Sequence, residues 1–268
     1  MVAKIFLTLT DYPVFRKIIW KPFYEILAKK FRIDGWHFMN YGYSYGPDEP
    51  LLYLRPDDEI NRYPVQLYHY LASKVDIEGK EILEVGSGRG GGSSYINRYL
   101  CPQKITALDV AHNAIKWAKE HHREKNIEFI QGNAENLPFA DQAFEVVLNV
   151  ESCHAYASVP KFLWEVKRVL QPSGYFLCTD LRSQPGMIKL KETLVASGME
   201  LISEEDITWN VILAIEEENS TKEQRIKQHV AKWLQPAFNQ FAGIKGSKIH
   251  RDLQSRSLVY HSFVLRKK

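Results

Sequence analysis

Apolar and polar positions along the chain repeat in one order. A short, nearly unbroken apolar run comes first, then a break, then a stretch in which apolar residues return at helical spacing. The runs are 82–85 (ILEV), 105–109 (ITALD), 127–132 (IEFIQG), 144–149 (FEVVLN) and 175–179 (YFLCT). The spacing predicts helices over 59–74, 93–100, 112–125 and 159–170, with a turn at Gln171-Pro172-Ser173-Gly174. Strand alternating with helix implies a parallel α/β sheet. Beyond Asp180 the rhythm loosens. A helix is expected over 189–197 and a strand over 199–207. Residues 210–241 read as two helices broken near Asn219-Ser220, with Pro236 kinking or restarting the second, and a last strand covers 257–265.

The most informative stretch is 80–96 (KEILEVGSGRGGGSSYI), where a strand runs into five glycines within seven residues and then into a hydroxyl-rich helix start. Glycine allows positive φ and a close approach of bare backbone to a ligand. Gly86, Gly88 and Gly91 fit G-x-G-x-x-G, and Asp109 ends the second strand twenty-one residues after Gly88. That is the spacing of a ribose-binding acid in a nucleotide-binding unit. Such an acid serves NAD and S-adenosylmethionine (SAM) alike, so it marks the unit and leaves the cofactor open. Glu84, Asp109, Asn133, Glu151, His154 and Asp180 all fall at carboxyl ends of strands, the edge where open α/β sheets bind ligands.

Composition narrows the classes. Hydrophobic residues make up 45% and charged residues 25% of 268, an ordinary globular balance. A net charge of +3 is too small to argue for nucleic acid. Cys101, Cys153 and Cys178 have neither metal-ligand nor disulfide-framework spacing, so no metal is expected, and a reducing cytoplasm suits them. The adjacent His121 and His122 point to different helix faces and cannot pair as i,i+4 ligands. No apolar run reaches the roughly 18 residues of a membrane span. The N-terminus carries Asp11 and Pro13 where a secretory signal needs an apolar core, so a cytoplasmic location is expected.

Residues 1–64 are rich in aromatics. Ile18, Ile19, Phe23, Ile26, Leu27 and Phe31 recur at helical spacing, with Lys17, Lys21, Lys29 and Lys30 between them. A helix packed on the main domain is preferred over a basic helix lying on a membrane, because amphipathic helices usually face a core. Residues 36–47 (WHFMNYGYSYGP) read as an ordered aromatic loop that closes over cofactor or substrate through Tyr41 or Tyr43.

Five blocks in order, ILEVGSGRGG, ALDVA, GNAENLPF, FEVVLNVESCH and KRVLQPSGYF, resemble the class I SAM-dependent methyltransferases. The segments around Gln66-Leu67-Tyr68-His69, the triple glycine, LNVESCHAY and CTDLR are similar to the phthiotriol and phenolphthiotriol dimycocerosate O-methyltransferases, and to O-methyltransferases that tailor polyketide or hybrid peptide products. The resemblance implies a Rossmann-like sheet with helices on both faces. It also implies an N-terminal lid (1–64), a SAM-binding core (65–184), a helical substrate cap (185–250) and a final core strand (251–268).

It further implies that Glu84, Gly86, Ser87, Gly88 and Gly90 hold the methionine end of SAM, with Asp109 on the ribose and Val110 on the adenine. Asn133, where the family usually has Asp, would meet the adenine amino group, Ala134 and Glu135 would make backbone contacts, and Asn149 would lie under the methionine. The ESCHAY segment offers Glu151 and Tyr156 as acceptor contacts. Related small-molecule methyltransferases place a histidine at the position of His154 and an acid at that of Asp180. A histidine can take the proton of an attacking hydroxyl, and a carboxylate on its other nitrogen fixes the tautomer.

The expected activity is methyl transfer from SAM, leaving S-adenosylhomocysteine, to a hydroxyl of a large apolar metabolite (a polyketide, a lipid or a hybrid polyketide-peptide). A carbon or nitrogen acceptor such as a sterol-like or quinone ring is the alternative. An NAD oxidoreductase is disfavoured because no Tyr-x-x-x-Lys follows the glycine loop. A non-catalytic SAM- or lipid-binding module is disfavoured by His154 and Asp180. The partner is a small-molecule or lipid-like acceptor and no nucleic acid. Contact with a membrane surface or a carrier protein, and the oligomeric state, stay open.

Overall fold

The computed structural model describes residues 36–232 and 235–268. The helix expected around Ile18–Phe31 therefore lies outside the described residues.

Seven strands form one sheet in the order β3-β2-β1-β4-β5-β7-β6. The strands are β1 (Glu81–Val85), β2 (Lys104–Asp109), β3 (Ile127–Gln131), β4 (Phe144–Val150), β5 (Leu170–Ser183), β6 (Glu200–Asp206) and β7 (Leu258–Arg266). The first five run parallel and β7 lies antiparallel between β5 and β6. Central strands β1 and β4 are buried on both faces, which their unbroken apolar runs require. Edge strand β3 is half exposed and carries Glu128 and Gln131 among its apolar residues.

Side-chain alternation divides the core in two. Ile82 packs on one side with α1 (Arg62–Ala72) and α2 (Gly91–Leu100), while Leu83 and Val85 pack on the other. That second layer holds α4 (Val159–Val169) and α5 (Gln184–Ala196), and α3 (His112–His121) lies over β2 and β3. Ser158 caps α4 by accepting from Lys161 N–H, and Ser183 caps α5 by accepting from Gly186 N–H.

Two expectations are corrected. Strand β5 spans fourteen residues and does not stop at Asp180. The expected turn is an irregularity inside it, where pairing jumps from Phe144↔Leu170 to Val146↔Tyr175. The break near Asn219-Ser220 does not occur, since α6 (Thr208–His229) runs straight through. Asn219 accepts from Lys245 N–H and donates to the Glu223 side chain one turn on, so its amide is taken up by these groups and does not compete with the helix backbone. Pro236 lies in the first turn of α7 (Gln235–Phe241), which restarts the helix as expected, and α8 (Lys248–Gln254) leads into β7. The stretch 185–250 thus holds α5 and edge strand β6 as well as the helices expected of a cap.

Candidate active site

The turn after β1 carries three glycines at positive φ. At Gly86 (φ +82°) a Cβ would sit 2.3 Å from Ser152 Oγ, so only glycine lets β1 meet the turn after β4. At Gly88 (φ +53°) a Cβ would meet nothing within 4 Å, and the backbone there is open on that side. Gly90 precedes α2 and packs against the Phe129 ring.

Asp109 closes the loop from β2. Its Oδ2 accepts from Gly88 N–H and its Oδ1 from Ala111 N–H, both at 2.8 Å. Beside it Val110 is 39% exposed, an apolar side chain left open at the sheet edge. Ser87 Oγ, buried in the loop, has no hydrogen-bond partner among the described residues. Open backbone, a ringed carboxylate, a bare apolar side chain and an orphaned hydroxyl converge on one stretch of the carboxyl edge.

Other predicted residues serve the scaffold. Glu84 lies beneath the loop, 1% exposed, accepting from Tyr68 OH (2.7 Å) and from Ser93 Oγ. Burial pushes its carboxyl above the ordinary range, against those two hydroxyls. Its carboxylate ties β1 to α1 and α2, because alternation along β1 turns it to that face. Asn133 Oδ1 accepts from Glu135 N–H at 3.0 Å, which turns the oxygen expected to meet adenine into the local turn. Glu135 Oε1 accepts from Ala157 and Ser158 N–H at 2.9 and 3.3 Å, and Ala134 is buried. Asn149, fully buried, donates to Val85 O, Ser152 Oγ and Tyr156 OH, so Asn149, Ser152 and Tyr156 form one network under Gly86.

The turn after β4 holds the remaining candidates. His154 Nδ1 lies 2.7 Å from Asp180 Oδ1, joining the two residues across β4 and β5. Burial alone would raise the Asp180 carboxyl, but Arg182 and His154 hold it well below the usual range. Arg182 and Cys153 complete the group and were missed in the sequence. The i,i+2 spacing of Asp180 and Arg182 on one strand face was the available signal.

Glu151 has φ +46°, unusual for a side chain with a Cβ. Its Oε1 accepts from Tyr41 N–H and Tyr260 OH, both at 2.8 Å. Tyr41 thus reaches the edge through its backbone, while its ring packs on Gly243. Tyr43 does not face the site. It stacks on Tyr70 (4.4 Å, 13°) within the core, because Gly42 at φ +86° turns the chain between the two tyrosines. The 36–46 strap is fastened on three sides. Tyr43 N–H donates to Tyr63 O, Ser44 and Asn210 exchange backbone and side-chain bonds, and Arg89 Nη1 donates to Trp36 O.

Burial pushes Glu151 up to about 8. The folded chain keeps this proton to about pH 8, whereas the unfolded chain releases it near 4.5. Stability is therefore fullest below pH 4.5 and falls by on the order of 1 kcal/mol per pH unit up to 8, for this group alone. Glu151→Gln can accept the same two bonds without titrating. The variant is expected to gain on the parent as pH rises from 6 to 8 in denaturant titrations, and parallel curves would refute the assignment.

A model described as "Methyltransferase domain" matches residues 83–178. The phthiotriol/phenolphthiotriol dimycocerosates methyltransferase of Mycobacterium tuberculosis is 36% identical over 251 residues, covering 94% of this chain and 93% of that protein. The fatty-acid O-methyltransferase of Mycolicibacterium smegmatis is 40% identical over 193 residues, 72% of this chain and 70% of that one. Among solved structures, the (4+2)-cyclase SpnF superposes with a TM-score of 0.72 at 19% identity, covering 93% and 95%. Geranyl diphosphate C-methyltransferase from Streptomyces coelicolor, solved with S-adenosyl-L-homocysteine, does so with a TM-score of 0.66 at 14% identity, covering 92% and 98%.

Proposed function

The chain belongs to the class I SAM-dependent methyltransferases, together with the phthiotriol/phenolphthiotriol dimycocerosates methyltransferases, and from that membership we propose that it methylates a hydroxyl oxygen of a large, lipid-like acceptor. The cofactor is SAM. The Gly86–Gly90 turn, the unpartnered Ser87 hydroxyl, Asp109 and the exposed Val110 fit it, and on this reading they hold its methionine, ribose and adenine parts. Asn133, Ala134 and Glu135 then contribute backbone beside the adenine, and the Asn149 network supports the loop from below.

The observation that carries the reading is the His154–Asp180 pair at 2.7 Å, its histidine set on the turn that packs against Gly86. Bound SAM supplies an electrophilic methyl group on a sulfonium. The pair supplies the proton acceptor. Asp180 accepts from Nδ1–H and so fixes the tautomer in which Nε2 carries the lone pair that would take the hydroxyl proton of the acceptor. Burial of Asp180 keeps this contact out of water and therefore strong.

The lipid-like class rests on the relatives named for dimycocerosates and for a fatty acid. The strap with Tyr41, and the helices α6 to α8, form the cover over the acceptor end, and Glu151 fastens the strap to the edge. No helix among the described residues is long and apolar enough to cross a membrane.

The test is to incubate the protein with SAM and fractionated lipid and polyketide extracts. Mass spectrometry should find a gain of about 14 Da in an apolar hydroxyl-bearing species. NMR of the product should place the methyl on oxygen, and a methyl on carbon or nitrogen would overturn the assignment.

A further inference from the structure

Asp180 sits inside β5 with its side chain fully buried, and its two oxygens have different partners. Oδ1 faces His154 Nδ1 at 2.7 Å and accepts from Leu181 N–H at 3.0 Å. Oδ2 is gripped by Arg182, with Nη2 at 2.8 Å and Nε at 3.1 Å, and by Cys153 Sγ–H at 3.0 Å. The same Nη2 reaches Cys153 Sγ at 3.3 Å, so one guanidinium spans the strand and the turn that carries His154. Its side chain is only 14% exposed, so water screens this charge poorly.

A proton acceptor works only if its partner stays ionised while the imidazole is neutral. A carboxyl this deeply buried, facing a neutral ring alone, would hold a proton itself. The other titratable groups near Asp180 give it no fixed positive charge, and His261, its register partner on β7, lies against Glu204 (3.0 Å) and Asp206 (3.6 Å). Glu151 and Tyr260 are acids raised by burial. Cys178 is raised by its contact with Cys153 and by burial. Lys222 on α6 pairs with Glu218 at 2.9 Å, and its charge acts on Glu151. Arg182 touches Asp180 directly and is cationic at every working pH.

We propose that Arg182 is a positioning residue acting through Asp180: its fixed charge keeps the carboxylate ionised beside a neutral His154, and its fork holds Oδ1 in line with Nδ1. This rests on His154 being the proton acceptor. A lysine could carry the charge but could not hold Oδ2 and Sγ together with two donors in one plane.

The experiment is an NMR titration of the His154 imidazole with S-adenosylhomocysteine bound, in the parent chain, Arg182→Gln and Arg182→Lys. Removing the positive charge lets the pair hold its proton more tightly. In Arg182→Gln the midpoint should rise by about one pH unit, a tenfold change in proton affinity. The acid limb of kcat should move up with it, while KM for SAM stays within about threefold. Arg182→Lys should keep the parent midpoint but lower kcat at all pH, because the charge remains and the fork is lost. An unmoved midpoint in a folded Arg182→Gln protein overturns the proposal. If that variant does not fold, a parent-like kcat in Arg182→Lys overturns the fork, and a midpoint raised even with lysine overturns the charge. Failure of the base reading looks different: His154→Ala would keep its kcat while the His154 midpoint still answered to Arg182.

Discussion

His154→Ala is expected to lower kcat by roughly 10²- to 10⁴-fold, the range for a positioned base. SAM affinity should stay nearly intact. His154 belongs to the turn after β4, whereas the groups assigned to SAM come from the turns after β1, β2 and β3. The ring is 22% exposed, so its truncation opens little core and the fold should survive. Asp180→Asn is a harsher change, since it leaves the Arg182 guanidinium buried without its partner, and loss of stability must be checked beside kcat. The two changes together should cost less than their product, because the residues act as one unit. Single-turnover rates with the identified acceptor decide the matter. Near-parent kcat in His154→Ala would mean that alignment of the hydroxyl with the methyl group carries the rate.

The parts legible in the sequence are those where one local rule governs. Strands β1, β2 and β4 are buried on both faces, so their apolar runs could hardly be mistaken. Asp109 followed from spacing, because the length of one strand–helix–strand unit fixes where the second strand ends. Less was legible where a residue's role depends on a distant segment. Glu84 is a carboxylate at the end of β1, and nothing local says that Tyr68, sixteen residues earlier, and Ser93 will take its oxygens. Tyr43 looked like Tyr41 until Gly42 turned one into the core. The continuation of β5 past Asp180 depends on β7, which pairs with it from Tyr175↔Arg266 to Ser183↔Leu258 across the intervening chain of residues 184–257. Without that pairing Arg182 reads as a loop residue, and the charge behind the His154–Asp180 pair stays invisible.

Asp109→Ala is expected to weaken SAM binding by roughly 10²- to 10³-fold. The ribose of SAM offers two hydroxyls, and hydrogen bonds to a charged acceptor contribute about 1.5–3 kcal/mol each. Losing two at the low end already gives a hundredfold. The same carboxylate organises its surroundings, since Gly88 N–H and Ala111 N–H both point to it at 2.8 Å. Alanine leaves both donors without their acceptor, so the loop loses shape as well as a ligand contact. Asp109→Asn separates the two effects. One amide oxygen can still accept from a single loop N–H, but it cannot serve the loop and both ribose hydroxyls. The asparagine variant should therefore melt close to the parent while its SAM affinity falls most of the way to that of alanine. Calorimetric titration with SAM on protein shown to be folded by circular dichroism gives the answer. An unchanged Kd for Asp109→Ala would remove the ribose from this edge of the sheet and with it the assignment of Val110 to the adenine.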